Sequence, residues 1–172
     1  MNHAHNGNRT VLTRLFSKRH GPRRMDAPGG FLSQELFAAQ LEVERARVDR
    51  SGHAFTVILF SVQGVVGEIE VKRAEQALIA ALIERTRRCD TKGWYGSHPA
   101  VILPYTSKAR AMNLTAPVEI IFRKHLTQAG MPLVPGPRLT FVAYGYPQDS
   151  LPADEATLAA HGDHPHTDAS MR

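Results

Sequence analysis

Apolar residues along this chain follow two rhythms, one near the 3.6-residue period of a helix and one of short unbroken runs bounded by Gly, Pro and polar residues. From Phe31 to Arg50 the chain is free of proline and rich in Glu, Ala, Leu and Arg, with Phe37, Leu41 and Val48 near one helical face. That spacing predicts an amphipathic helix, which Ser33 can cap and Gly52 can end. The run Ala54 to Val62 is continuous, β-branched and aromatic, as expected of a strand buried on both faces. After a loop at Gly64, the residues Ala74, Ala77, Leu78, Ala81 and Leu82 recur at i, i+3, i+4, i+7 and i+8 and predict a helix from about Glu68 to Arg88. Asp90 to Tyr95 and Ala100 to Leu103 read as two short strands joined by a Gly96-Ser97-His98-Pro99 turn. Pro104 closes the second strand, and Thr106 or Ser107 can cap the helix that follows. Pro117 interrupts that helix before Val118, Ile121, Phe122, His125 and Leu126 resume an apolar face, so a kink or restart is expected there. A loop with three prolines spans Gly130 to Pro137, and Arg138 to Tyr146 is the last strand.

After the first helix the order is therefore β-α-β-β-α-β. This predicts an α+β fold, a ferredoxin-like core with an N-terminal helix, in which two right-handed crossovers place helices on one face of an antiparallel sheet. The patterned region covers residues 31–150. Residues 1–30 read as a basic flexible arm and residues 151–172 as an acidic, His-containing, disordered tail.

Charge sharpens this division. The chain carries +5 over 172 residues, a balance that invites nucleic acid or an anionic membrane as partner. Residues 1–30 hold Arg9, Arg14, Lys18, Arg19, Arg23 and Arg24 against Asp26 alone, so the arm accounts for the whole excess and the rest of the chain is neutral. Val11, Leu12, Leu15 and Phe16 give the arm a short apolar face, suited to weak contact with an anionic membrane or a polyanion, although a solvated basic linker is the better reading, since basic amphipathic stretches this short are common. Cys89 is the single cysteine, which excludes an intrachain disulfide and a thiolate-rich zinc site and suits a reducing, cytoplasmic setting. No apolar run approaches the roughly 20 residues of a membrane helix, and the N-terminus lacks the apolar core of a secretory signal.

Several strings, in order and spacing, resemble the GGDEF domain, the diguanylate cyclase family. They are Glu44-Arg45-Ala46-Arg47 before Gly52, Val57 to Val62 on the first long strand, Arg87-Arg88-Cys89-Asp90 followed by Gly93-Trp94-Tyr95-Gly96, Val101 to Thr106, and Thr140 to Pro147. The resemblance implies a ferredoxin-like core with an N-terminal helix, and a chemistry that condenses two GTP into cyclic di-GMP with Mg²⁺ held by acidic side chains. A hard cation needs oxygen ligands, and paired glycines let the backbone approach the nucleotide. By that alignment the metal-binding aspartate of the first strand is replaced by Ser61, with Gln63 two residues on. The signature pentapeptide falls on Gly96-Ser97-His98-Pro99-Ala100, where only the first glycine matches and the acidic pair reads His98-Pro99. The loop after the first strand is too short for the family's guanine-recognition string. The resemblance thus implies a catalytically inactive regulatory or protein-interaction module of bacterial signalling, without cofactor, paired with itself or another protein through the Phe31–Arg50 helix.

One further family feature is the Arg-x-x-Asp product site, whose Asp lies six residues before the signature glycine. Arg87 and Asp90 stand in that relation to Gly96, with Arg88 beside them. The resemblance makes them a candidate receptor site for cyclic di-GMP, since a guanidinium can fork onto guanine or phosphate while a carboxylate accepts from guanine N–H groups. A purely structural role, an Arg at a helix end and an Asp fixing a turn, accounts for the same residues. His161, His164 and His166 with Asp163 and Asp168 are the other metal candidates, together with His3 at the N-terminus. They read as incidental, as does His98, which has no Cys or acid in its own string; His125 reads as a core or interface residue. RNA-recognition domains share the element order, but Ala100 to Leu103 offers no aromatic for stacking, so nucleic-acid binding on the sheet face is not expected.

Overall fold

In a computed structural model, residues 30–134 and 136–152 are described. The first helix, α1, spans Gln34–Ser51, and its ends follow local chemistry. Ser33 sits in extended backbone and its hydroxyl accepts the Leu36 N–H at 3.3 Å, while Gly52 adopts φ 70° and returns its N–H to the Val48 carbonyl. The long strands are β2 (Phe55–Gln63) and β5 (Arg138–Tyr146), with β3 (Thr91–Tyr95) and β4 (His98–Pro104) between them in sequence. The second helix, α2 (Glu68–Arg85), ends three residues before the expected Arg88. Thr86 ends it, because its hydroxyl and its N–H both go to the Leu82 carbonyl, at 2.7 and 3.0 Å, with backbone already extended.

The expected restart at Pro117 is present. A short helix, α3 (Lys108–Ala111), runs through a 3₁₀ turn into α4 (Thr115–Gln128). Pro117 therefore lies in the first turn of α4, where a helical N–H has no partner to lose. One strand was not anticipated. Phe31–Leu32, expected as the start of the first helix, form β1, which pairs parallel to β3 with Phe31 beside Lys92 and Leu32 beside Gly93.

The sheet order is β1-β3-β4-β2-β5. Its last four strands each run antiparallel to their neighbours and have the ferredoxin-like arrangement, with β1 making the sheet mixed. Strand alternation divides the interior into two halves. Ile58, Phe60, Val101, Leu103 and Ala143 face α2 and α4, meeting Ala74, Leu78, Ala81, Leu82, Val118, Phe122 and Leu126. The opposite face carries Val57, Leu59, Ala100, Ile102 and the Tyr144 ring, and it is closed by Phe37, Leu41 and Val48 of α1. The apolar stripe of α1 thus covers the protein's own sheet. Among the described residues, no helix is long and apolar enough to cross a membrane.

Candidate functional site

The hairpin between β3 and β4 is tighter than its sequence suggests. Tyr95 pairs with His98, so only Gly96 and Ser97 form the loop, and Gly96 supplies the positive φ (57°) that such a two-residue turn requires. His98 and Pro99, expected in the turn, are instead the first residues of β4. The reason is the register: with Trp94 opposite Pro99 and Gly93 opposite Ala100, the hairpin closes two residues earlier than the Gly-Ser-His-Pro string implies.

Ser61 and His98 meet. The β2–β4 ladder runs from Phe55↔Pro104 to Leu59↔Ala100, and its next member, Pro99, has no N–H to donate. One step further, the same register sets Ser61 opposite His98, and Ser61 Oγ lies 2.9 Å from His98 Nδ1. A side-chain hydrogen bond therefore ties the strands where the backbone ladder has stopped. Thr140, directly across from Ser61 on β5, donates its hydroxyl to the Ser61 carbonyl at 3.4 Å. Tyr95, His98, Ser61 and Thr140 form a continuous row across four strands, on the face covered by α1. The row consists of hydroxyls and one imidazole and contains no carboxylate.

Sequence reasoning treated Ser61 and His98 separately and found no companion for His98. The companion stands 37 positions away. Counting the hairpin register from Gly96 would have placed His98 in a strand, but the β2–β4 alignment has no local signature.

The Arg87–Asp90 segment is a turn after α2. Asp90 is buried, with 9% of its surface exposed; its Oδ2 accepts the Arg87 N–H at 2.8 Å and its own N–H returns to the Arg87 carbonyl at 3.1 Å. The carboxylate thus fixes the turn, as the structural reading of this string expects. Arg87, Arg88 and Cys89 are exposed, and no ion pair joins either guanidinium to an acid among the described residues. His125, expected in the core or at an interface, is half-buried on α4, with Nε2 3.3 Å from Glu84 Oε2. The tail histidines, His3 and most of the basic arm lie outside the described residues.

A shallow cleft opens elsewhere, on the α1 face at the far end of β5, lined by Arg45, Phe55, Tyr144, Tyr146, Asp149 and Leu151. None of the sequence-derived candidates lines it. Burial pushes the phenols of Tyr95 and Tyr144 above the ordinary tyrosine range, with Arg45 opposing the shift at Tyr95. Tyr95 donates its hydroxyl to the Pro152 carbonyl at 2.8 Å, so the chain past β5 crosses back over this face to reach the hairpin end of β3.

No family model and no curated protein matches the sequence. Solved structures do share the fold. A DGC protein from Thermotoga maritima superposes with a TM-score of 0.55 at 20% identity, over 77% of this chain and 95% of that one. The isolated GGDEF domain of TpbB (YfiN) from Pseudomonas aeruginosa gives 0.57 at 14% identity, over 72% and 77%. Diguanylate cyclase SiaD from the same organism, solved with its activator SiaC, gives 0.54 at 15% identity, over 88% of this chain and 58% of SiaD. With the N-terminal helix on one face, the ferredoxin-like core and the β3–β4 hairpin all in place, the fold of this chain is that of a GGDEF-like domain.

Proposed function

We propose that this chain is a catalytically inactive GGDEF-like regulatory module of bacterial signalling, cytoplasmic, acting by binding rather than by turnover. The observation that carries this reading is the Tyr95–His98–Ser61–Thr140 row at the hairpin end of the sheet. Condensing two GTP needs divalent cations beside the triphosphates, and Mg²⁺ takes carboxylates and water as ligands. A serine hydroxyl hydrogen-bonded to an imidazole supplies no negative charge, and that bond engages the very groups that would have to turn towards a metal. The reading therefore assigns the Ser61–His98 bond a structural role at the position the resemblance gives to metal ligands.

The test is a product assay. Full-length chain incubated with GTP and Mg²⁺ or Mn²⁺ is expected to form no cyclic di-GMP above a protein-free control by liquid chromatography. Steady accumulation that depends on metal and protein would overturn the assignment.

SiaD is solved with an activator protein, which supports a protein partner as the class of ligand for this fold. On α1, Leu36 and Val43 remain 48% and 45% exposed on the side turned from the sheet, a small apolar patch for such a contact or for a second copy.

A second reading rests on the exposed Arg87 and Arg88. As a cyclic di-GMP receptor, the chain would use these guanidiniums on the ligand's phosphates and guanine edges, with Asp90 completing the site. Titration calorimetry separates the two roles of Asp90. Receptor function gives saturable heat that Arg87→Ala abolishes without changing the melting temperature, whereas Asp90→Ala lowers stability in any case by about 0.5–1.5 kcal/mol, through loss of the hydrogen bond that holds the turn. No heat with high-micromolar ligand eliminates the receptor. Membrane or polyanion contact by the basic arm stands as a separate proposal, supported only by the charge of residues 1–30.

A further inference from the structure

Strand β5 ends the sheet, and its outer edge is open along a defined window. Nine consecutive pairs join it to β2, from Phe55↔Tyr146 to Gln63↔Arg138, without a bulge. Gly145 shows which residues face outward: its N–H goes to Asp149 Oδ2 at 2.9 Å and its carbonyl accepts the Asp149 N–H at 2.7 Å, so neither serves β2. Because N–H and C=O of one residue point to the same side and alternate along an antiparallel strand, Ala143, Phe141 and Leu139 also turn theirs outward. Among the described residues nothing pairs with them. At the other end, the next outward position is Pro137, which has no N–H.

The window is symmetric. Asp149 closes it at Gly145 and proline closes it at 137, and both limits lie four residues from Phe141. A strand at an edge is normally blunted by a bulge, a charge or a proline within it, and from Leu139 to Ala143 this strand has none of these, its one charge being Arg138 at the start.

We infer that β5 pairs with β5 of a second copy of this chain, antiparallel and centred on Phe141, joining two five-stranded sheets into one. In that register Leu139 faces Ala143 of the other copy, Phe141 faces its counterpart, and every outward donor and acceptor of the window is used. Sliding by two residues would oppose part of the window to Pro137 or to the Asp149 clamp. The side chains agree with this choice. On the α1 face Thr140 meets Val142, two β-branched residues, and the only charge, Arg138, meets the Tyr144 ring, so no like charges oppose. The interface is isologous, as a closed two-fold dimer requires. It does not depend on the hairpin being inactive and would hold equally for a working cyclase.

The full chain is expected to have twice the protomer mass by light scattering at micromolar concentrations. Register is tested in a Cys89→Ser background with two single variants, Thr140→Cys and Val142→Cys. Opposed residues of a non-hydrogen-bonded pair have Cα atoms about 4.5 Å apart, within the reach of a disulfide. Mild oxidation of the mixture should cross-link at least tenfold faster than either variant alone. The double variant Thr140→Lys with Val142→Lys opposes like charges twice and should shift the chain to monomer, with its circular dichroism unchanged. If that variant does not fold, the cysteine pair still decides. A monomer at hundreds of micromolar, or a dimer whose cross-linking ignores the mixture, would overturn the proposal, the latter pointing to another surface.

Discussion

Phe37→Ala is expected to lower folding stability by about 3–5 kcal/mol, the range for deleting a fully buried aromatic side chain. Phe37 has no exposed surface, and its ring meets Tyr95 edge-on at 6.4 Å while lying over Gly93. It is the first of the residues that fasten α1 to the sheet, ahead of Leu41 and Val48, and the cavity left behind would sit between a helix and a strand that cannot close on it without unpairing β1. Domains of this size are stable by about 5–15 kcal/mol, so the loss is a large share of the whole. Denaturant titration should show a lower midpoint with an unchanged slope. A loss below about 1 kcal/mol would mean that α1 is not anchored where the structure places it.

Gly93→Val should be nearly as damaging, from overfilling rather than from a void. A Cβ at this position would lie 2.8 Å from the Leu32 carbonyl oxygen, 2.9 Å from Leu32 Cβ and 2.9 Å from Phe37 Cδ2. One of those contacts is backbone and cannot rotate away, so relief requires β1 to separate from β3 or α1 to lift. Overpacking of this kind costs about 1–3 kcal/mol, occasionally more. The single tryptophan reports the site directly, since Trp94 is buried next door and packs edge-on against Phe31 of β1 at 5.6 Å. Its emission should shift to the red as β1 detaches, along with a fall in melting temperature. Wild-type emission and melting would show that the close approach is not there.

These two sites mark the boundary between what could be read along the chain and what could not. The α1 helix was readable because Ser33, the Phe37–Leu41–Val48 stripe and Gly52 are all signals within a turn or two of one another. The same holds for the Ala74–Leu82 stripe of α2, for the restart at Pro117 and for the two long apolar strands. Strand β1 was not readable: two residues carry no period, and their pairing with β3 lies some sixty positions along the chain. The early stop of α2 at Thr86 is local, but a hydroxyl returning to the Leu82 carbonyl competes with a helical pattern that continues in composition to Arg88.

For the candidate site the division is similar. The amino-acid identities at Ser61, His98 and Pro99 were visible at once, and so was the Arg87–Asp90 string. That Ser61 and His98 share a hydrogen bond, or that Asp90 turns its carboxylate to the backbone, came only with the register of β2 against β4 and the course of the turn after α2.

By itself the sequence determined the kind and order of the core elements and of the helix before them, and hence the ferredoxin-like core, because periodicity, capping and proline placement act between residues within a turn or two of each other. Only the tertiary structure decided which faces are closed, which strand edge is open and which polar groups meet, because those depend on strand register between segments far apart in the chain, where a shift of one residue reverses every side chain.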